Sequence, residues 1–139
     1  MSISKIVVPT DGSSFSHRAA KLAVEIAKAT HSSVIALHVI EVKPPKLLEG
    51  SNIEKIKVRQ AEICFTDFKE SAADAGIEHE TKMLVSRDVT KTILEEIEIQ
   101  NPDIVVMGSH GLTGIKRLLL GSIAESVLEK STAPLLIVK

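Results

Sequence analysis

Three glycines and a serine in the last third of the chain have the spacing of an anion-binding loop. Gly108 ends an apolar run, Gly111 follows three residues later, and Gly121 with Ser122 comes ten residues after that. Glycine lets backbone N–H groups approach an anion closely, and a helix beginning at this point adds unsatisfied N–H groups and a positive dipole end. The pattern is neither a Walker A loop nor the dinucleotide fingerprint G-x-G-x-x-G. A phosphate-binding loop and a ligand-free glycine-rich connection explain the spacing equally well.

A second loop with potential ligand-binding side chains, Pro9-Thr10-Asp11-Gly12, follows the first apolar run. A carboxylate next to a phosphate would repel it, so we expect Asp11 at the sugar or base end of a nucleotide. There it would accept hydrogen bonds from hydroxyls or an exocyclic amine. If the two loops face one crevice, the combination of an anion-binding loop with a carboxylate favours a nucleotide over bare phosphate as the ligand.

Alternating strand and helix patterns must position these loops. Apolar, β-branched runs predict strands, and apolar residues at helical spacing predict helices between them. The predicted strands are 3–9, 34–40, 78–85, 104–107 and 134–138, and the helices are 15–27, 53–75, 89–97 and 123–128. The alternation predicts one Rossmann-like α/β domain over residues 1–139, an open doubly wound five-stranded parallel sheet with helices on both faces. In the strand order 3-2-1-4-5, the two loops meet at the carboxyl ends of strands one and four, where such sheets bind ligands.

Composition argues against several classes of protein. The 139 residues carry a formal net charge of −1 and only 2% aromatic residues, which argues against nucleic-acid and membrane partners. The N-terminus lacks the apolar core of a signal peptide and no run is long enough to span a membrane, so we expect a cytoplasmic protein. The single cysteine, Cys64, lies on an apolar helix stripe and is expected to be a buried, inert thiol.

The chain resembles the ATP-binding branch of the universal stress protein family. The family signature Gly-x2-Gly-x9-Gly-Ser/Thr is satisfied in full by the glycine loop. Blocks in register at both ends of the chain extend the resemblance over essentially its whole length. The matching segments are 6–13, 37–39, 103–111, 120–124 and 133–138.

The resemblance implies a ligand, ATP or alternatively ADP or AMP, and a set of contact residues. By position, it implies contacts to the adenosine from Pro9, Thr10 and Asp11, to the adenine from the backbone of Val39, to the ribose and α-phosphate from Met107 and Gly108, and to the phosphates from Gly111, Gly121, Ser122 and the Ile123 amide. It implies no metal-ligating side chain, because Mg²⁺ would be held mainly by the phosphates themselves.

The implied function is an adenine-nucleotide-dependent switch or sensor in the stress response. No residue stands out as a base for activating water, so no catalytic residue is predicted; slow ATP hydrolysis remains an alternative, as does a nucleotide-free interaction module. A phospho-acceptor signalling domain would need a carboxylate cluster around Mg²⁺ and a lysine beyond the last strand. An adenylating or flavin-binding enzyme of the pyrophosphatase type would need a Ser-Gly-Gly loop, which is missing.

Other segments allow less specific predictions. Many family members have glycine and proline in the turn after strand three, where this chain has Arg87 and Val89, and we expect that turn to be remote from the crevice. The linker 41–52 is either a flap over the adenine or a surface loop.

Two groups of ionisable side chains also allow predictions. His110 and the pair Lys116–Arg117 either contact phosphate or are solvated. Three glutamates, Glu95, Glu96 and Glu98, are expected on the wet face of a helix.

The last apolar run, 134–138, lacks the inward charges and mid-strand proline that usually protect a sheet edge. It predicts a homodimer through the C-terminal strand 135–139.

Overall fold

The computed structural model describes residues 2–43, 50–112 and 119–139, and within these ranges strands and helices alternate along the chain. The elements in order are β1 (Lys5–Thr10), α1 (Ser14–Thr30), β2 (Ser33–Glu41), α2 (Gly50–Asp74), β3 (His79–Ser86), α3 (Val89–Gln100), β4 (Ile104–Gly108), α4 (Ser122–Lys130) and β5 (Leu135–Val138). The second helix begins at Gly50, three residues before the predicted start. The other boundaries agree within one to three residues with those expected from periodicity.

The strands form a single parallel sheet of order β3-β2-β1-β4-β5, as predicted. β1 pairs with β2 on one side and β4 on the other, and all neighbouring strands run parallel. The central residues Ile6, Val7 and Val8 are fully buried because helices cover both faces of the sheet. This order places the winding reversal between β1 and β4.

Two apolar layers hold the helices against the sheet. On one face, α1 and α2 contribute small and aromatic side chains, including Ala23 and Phe65, to a cluster with Val8 of β1. On the other face, α3 and α4 pack against the sheet through residues such as Ile97 and Val127. The two loops at the β1 and β4 ends therefore stand on a rigid scaffold. In the described part of the chain, no helix is long and apolar enough to cross a membrane.

One expectation about a charged side chain proved wrong. Glu96 is not on a wet face: it is 6% exposed, and its carboxylate accepts hydrogen bonds from Lys82 Nζ at 2.9 and 3.0 Å. Gln100 Nε2 contacts the same carboxylate at 3.5 Å. The reason is a cross-element partner, since Lys82 projects from β3 onto the face that α3 covers.

The cysteine is less buried than expected. Cys64 is only half-buried, beside the turn at Gly12, where a Cβ would lie 3.3 Å from the sulfur. Burial raises the pKa of the Cys64 thiol, and the carboxylates of Asp11 and Asp67 raise it further. The thiol is therefore kept protonated, which agrees with the expected inertness.

Candidate functional site

A cavity of 230 Å³ opens where β1 and β4 end side by side. The β1 loop forms one wall and the glycine loop after β4 forms another, while α3 and α4 close the sides. The described lining residues are Pro9, Thr10, Asp11, Ser16, Leu37, Val39, Val89, Ile93, Met107, Gly108, His110, Gly111, Gly121, Ser122, Ile123 and Ala124.

All ten of the predicted contact residues lie on this lining. The set comprises Pro9, Thr10, Asp11, Val39, Met107, Gly108, Gly111, Gly121, Ser122 and Ile123. They come from four separate segments of the chain, which meet because β2, β1 and β4 are neighbours in the sheet. Their contact with a ligand remains a prediction.

The amino-terminal end of α4 supplies the anion-binding part of the cavity. Gly121 occupies the N-cap position, so no side chain caps the helix, and the Gly121 carbonyl accepts the Glu125 N–H at 2.9 Å. The N–H groups of the first helical residues have no acceptor within the helix. Ser122 and Ile123 both line the cavity, and the positive end of the helix dipole faces it.

The signature glycines are required by neighbouring atoms, not by an unusual backbone conformation. Among the glycines that the structure describes, φ is positive at Gly12 and Gly76, not at Gly108, Gly111 or Gly121. A Cβ on Gly108 would lie 2.7 Å from the Phe15 Cβ and 2.8 Å from the Phe15 carbonyl carbon. Gly108 therefore lets the start of α1 pack onto the end of β4.

Gly121 serves the glycine loop itself. Its N–H donates to the Ser109 carbonyl at 2.7 Å, and a Cβ would lie 3.2 Å from His110 Cα. The chain passes so closely over itself here that a side chain would push against the loop backbone. The glycine thus shapes the loop, and any effect on a phosphate follows from that shape.

The β1–α1 turn holds the cavity's carboxylate. Gly12 turns the chain with φ 86°, and the Ser13 hydroxyl caps α1 by accepting the Ser16 N–H at 3.1 Å. Asp11 Oδ1 accepts the Ser13 N–H at 2.9 Å, which closes an Asx turn. Among the described lining residues, Asp11 alone carries a carboxylate.

The opposite end of the cavity is apolar. Leu37 and Val39 project from β2, and Val89 with Ile93 projects from the first turns of α3. Such a slot suits a flat, apolar ring held by a few polar groups. The expectation that the turn after β3 would be remote from the crevice is therefore wrong at Val89. The helix that follows β3 crosses back over the sheet, and its first residue reaches the cavity.

Thr10, the last residue of β1, forms a polar pair with its neighbour His38 on β2. The Thr10 hydroxyl donates to the Leu37 carbonyl at 3.0 Å, and it lies 3.3 Å from His38 Nδ1. Because the hydroxyl has a single proton, it accepts from His38, which assigns the Nδ1-protonated tautomer. Burial lowers the pKa of His38, with the Asp11 carboxylate acting in the opposite direction, so the ring is neutral at pH 7.

His110 lies on the cavity wall, packed beside α1. Its Nδ1 is 3.0 Å from the Ser109 hydroxyl, and its ring centroid is 5.3 Å from that of Phe15. The Arg18 guanidinium covers the Phe15 ring at 4.9 Å. Lys116 and Arg117 lie outside the described residues, as do residues 44–49 of the linker 41–52, so the predictions for them are not tested.

Six lining residues were not in the predicted set. Leu37 could have been found, because it shares a sheet face with Val39 at a spacing of two residues. Val89 and Ile93 share a helix face at a spacing of four, but their approach to the crevice depends on the path of α3. The complete list of additions is Ser16, Leu37, Val89, Ile93, His110 and Ala124.

Within residues 2–43, 50–112 and 119–139, no group of three or more His, Cys, Asp and Glu side chains is arranged to hold a metal ion.

Comparison with known proteins identifies close similarity over the whole chain. A model of the universal stress protein family matches residues 2–139. The chain is 39% identical to universal stress protein MJ0531 of Methanocaldococcus jannaschii, over 97% of this chain and 81% of the relative.

Two solved structures have the same fold. The structure of protein MJ0577 superposes with a TM-score of 0.87 at 31% identity, over 100% of this chain and 97% of that one. A universal stress protein in complex with cAMP superposes with a TM-score of 0.74 at 26% identity, over 99% of this chain and 98% of that one.

Proposed function

The chain belongs to the universal stress protein family, and from that premise we propose that it binds an adenine nucleotide in the cavity between β1 and β4. The observation that carries the proposal is the composition of one cavity. A helix start with uncapped N–H groups stands at one end, and an apolar slot stands at the other. The helix start suits the phosphates of a nucleotide, and the apolar slot suits its purine ring. The cAMP complex of a relative supports the same ligand class.

The proposed contacts keep the roles expected from the sequence. The uncapped start of α4 at Ser122 and Ile123 faces the phosphates, with Gly111 and Gly121 shaping the loop around them. Met107 and Gly108 lie along the ribose and α-phosphate. The first loop (9–11) contacts the adenosine, and the Val39 backbone reads the adenine edge.

ATP is the proposed physiological ligand, with ADP or AMP as alternatives. The described cavity wall offers one carboxylate, Asp11, and both of its oxygens already accept backbone hydrogen bonds. Any Mg²⁺ is therefore held mainly by the phosphates, which are hard oxygen ligands for that ion.

We propose binding and signalling, not rapid hydrolysis, as the activity. Hydrolysis needs a base that accepts a proton from water and groups that stabilise the transferred phosphoryl group. Asp11, the one carboxylate among the described lining residues, is proposed to contact the adenosine, so it is poorly placed to accept a proton from water beside the phosphates. The protein then acts as a nucleotide-dependent switch or sensor, and slow hydrolysis is the alternative.

The proposed partners do not include nucleic acid or membranes, because a net charge of −1 gives no attraction to either. The proposed location is the cytoplasm.

Mass spectrometry of small molecules released from freshly purified protein tests the proposal. We expect an adenine nucleotide bound to the wild-type chain. Val89→Asp places a carboxylate in the apolar slot at the first position of α3, where acidic residues suit the helix dipole. The variant should fold and lose the nucleotide.

Val85→Asp is the matched control. Val85 is 64% exposed on the edge strand β3 and is not part of the cavity lining, so this variant should retain the nucleotide. Equal nucleotide content in the two variants would contradict the proposed site.

We further propose that the protein is a homodimer through the β5 edge, over residues 135–139. β5 pairs only with β4 among the described strands, and its four residues are each partly exposed. An apolar edge of this kind offers unpaired backbone groups to a second copy, and a two-fold antiparallel pairing closes the assembly. Light scattering at micromolar concentration should give twice the chain mass, and a clean monomer would refute the dimer.

A further inference from the structure

The Asp11 carboxylate joins two loops that are 101 residues apart in the sequence. Its Oδ1 accepts the Ser13 N–H at 2.9 Å within the β1–α1 turn. Its Oδ2 accepts the Leu112 N–H at 3.0 Å, which belongs to the glycine loop after β4. The side chain thus spans the crevice from one loop to the other.

The glycine loop lies directly against this carboxylate. A Cβ on Gly111 would stand 2.6 Å from Asp11 Oδ2, closer than real Cβ contacts allow. The absence of a side chain at Gly111 is therefore what lets the next N–H, that of Leu112, reach the oxygen. Charge-assisted hydrogen bonds of this kind are about twice as strong as neutral ones.

The other side of the carboxylate is fixed. The Asp11 N–H donates to the Ser16 hydroxyl at 3.3 Å, and that hydroxyl donates to the Ser13 carbonyl at 3.1 Å. Together with the Ser13 cap on α1, these bonds anchor Asp11 to the scaffold. A rigidly held acceptor can fix the position of the N–H group that it binds, which here is that of Leu112.

We propose that Asp11 is a positioning residue that holds the glycine loop in its phosphate-binding shape through the Leu112 N–H. The inference rests on the proposed nucleotide site and extends it. Each carboxylate oxygen has a second lone pair, so Asp11 can accept a nucleoside donor while it holds the loop. The nucleoside end and the phosphate end of the cavity are then linked through one side chain.

Asp11→Asn separates the two hydrogen bonds. The amide oxygen can keep the Ser13 N–H, because asparagine forms the same turn as aspartate. The amide NH₂ group then faces the Leu112 N–H, donor against donor. Asp67→Asn is the charge-matched control, since Asp67 is an exposed carboxylate on α2 that does not line the cavity.

The first readout is the Leu112 amide in ligand-free protein, followed by NMR. In the wild-type chain and in Asp67→Asn we expect its hydrogen exchange to be slowed about tenfold relative to Asp11→Asn. Equal exchange of the Leu112 amide in all three proteins would overturn the proposal.

The second readout is the ratio of ATP affinity to adenosine affinity, measured by calorimetry. Asp11→Asn should lower ATP affinity about tenfold more than adenosine affinity, because the loop carries the phosphate contacts. Removing a negative charge would by itself strengthen ATP binding, so a net loss reports on loop position. An unchanged or raised ratio overturns the proposal, whereas a wild-type chain that binds neither ligand refutes the nucleotide site itself.

Discussion

At the residue scale, each glycine of the signature is required by a different neighbour. Gly108 meets the backbone of α1, Gly111 meets the Asp11 carboxylate, and Gly121 meets the loop backbone at His110. The spacing in the sequence predicts a loop that approaches an anion, and it cannot reveal these protein neighbours. The same three positions therefore support packing as well as the proposed binding.

Gly108→Ala should destabilise the fold more than Gly121→Ala. The new Cβ at position 108 would stand 2.7–3.0 Å from Phe15 and from the Ser16 nitrogen, which are atoms that cannot move without displacing α1. We expect a loss of about 2–3 kcal/mol in the free energy of unfolding, the usual cost of overpacking. At position 121 the nearest atoms are 3.2–3.3 Å away, so a smaller shift of the loop relieves the contact. Urea denaturation measures both, and an equal or reversed order would contradict this interpretation.

Glu96→Gln should lower the free energy of unfolding by about 1–2 kcal/mol, because the partly exposed Lys82 ammonium loses its buried charged partner. The carboxylate is 7% exposed and the lysine side chain 35%, so water compensates only in part. Glu95→Gln, at an exposed position on the same helix, is the control and should have little effect. Thermal or urea unfolding checks the pair, and equal stability of the two variants would show that the Lys82 contact contributes nothing.

At the element scale, one carboxylate ties the starts of β1 and β4 together. Asp103 Oδ2 accepts the Ser4 N–H at 2.8 Å, the Ser4 hydroxyl at 2.9 Å and the Lys5 N–H at 3.0 Å. The hydrogen bond from the Ser4 backbone, followed by those from the Ser4 hydroxyl and the Lys5 backbone, lowers the pKa of Asp103 below its ordinary value of 3.8. The two strands that frame the cavity are thereby joined at their far ends.

This lowered pKa predicts the sign of a pH effect. A depressed folded-state pKa contributes stability that is fully present above the unfolded value and is lost as the pH falls through the folded value. Wild-type protein should therefore be more stable than Asp103→Asn at neutral pH, and the difference should shrink in acid. Urea midpoints across the acid range measure it, with the exposed Asp74→Asn as control. A difference that stays constant as the pH falls would contradict the prediction.

The backbone of β5 alternates in direction, which allows a test of the proposed dimer. The Pro134 carbonyl accepts the Val105 N–H of β4, and the Val138 carbonyl accepts the N–H of Ser109, the residue after β4, both at 2.8 Å. Backbone groups of the even-numbered residues therefore face β4, and those of Leu135 and Ile137 face outward. Ile137→Pro removes an outward N–H and spares the β4 ladder. We expect a folded monomer by light scattering, whereas Ile137→Ala, which keeps the N–H, should remain a dimer. A dimer in both variants would place the interface elsewhere.

Sequence patterns identified the elements well because most of them carry local signals. β-branched runs, cap residues and helical stripes lie within each segment, and Ser13 and Asp88 both cap helices in the structure. The errors arose where the deciding partner is on another element. Glu96 is buried by Lys82 of β3, and Val89 reaches the cavity only because α3 crosses the sheet.

At the scale of the whole molecule, alternation of strands and helices predicted a parallel sheet covered on both faces. The order 3-2-1-4-5 was expected as the one that brings the two loops together, and the sheet has that order. The cavity end built from strand termini was therefore predictable. The end formed by the first turns of α3 was not, because the packing angle of a helix depends on contacts along its length. Asp11 shows the same limit: its place in the crevice was predicted, but its hydrogen bond to Leu112, 101 residues away in the sequence, was not.

Calorimetric titration of nucleotide-stripped wild-type protein with ATP and Mg²⁺ tests the central claim most directly. Because a helix start, a glycine loop and an apolar slot share one cavity, we predict a dissociation constant in the micromolar range or tighter, which corresponds to about −8 kcal/mol or more favourable. Val89→Asp should abolish the heat and Val85→Asp should preserve it. No heat from the folded wild-type chain, together with no nucleotide in the freshly purified protein, would contradict the account.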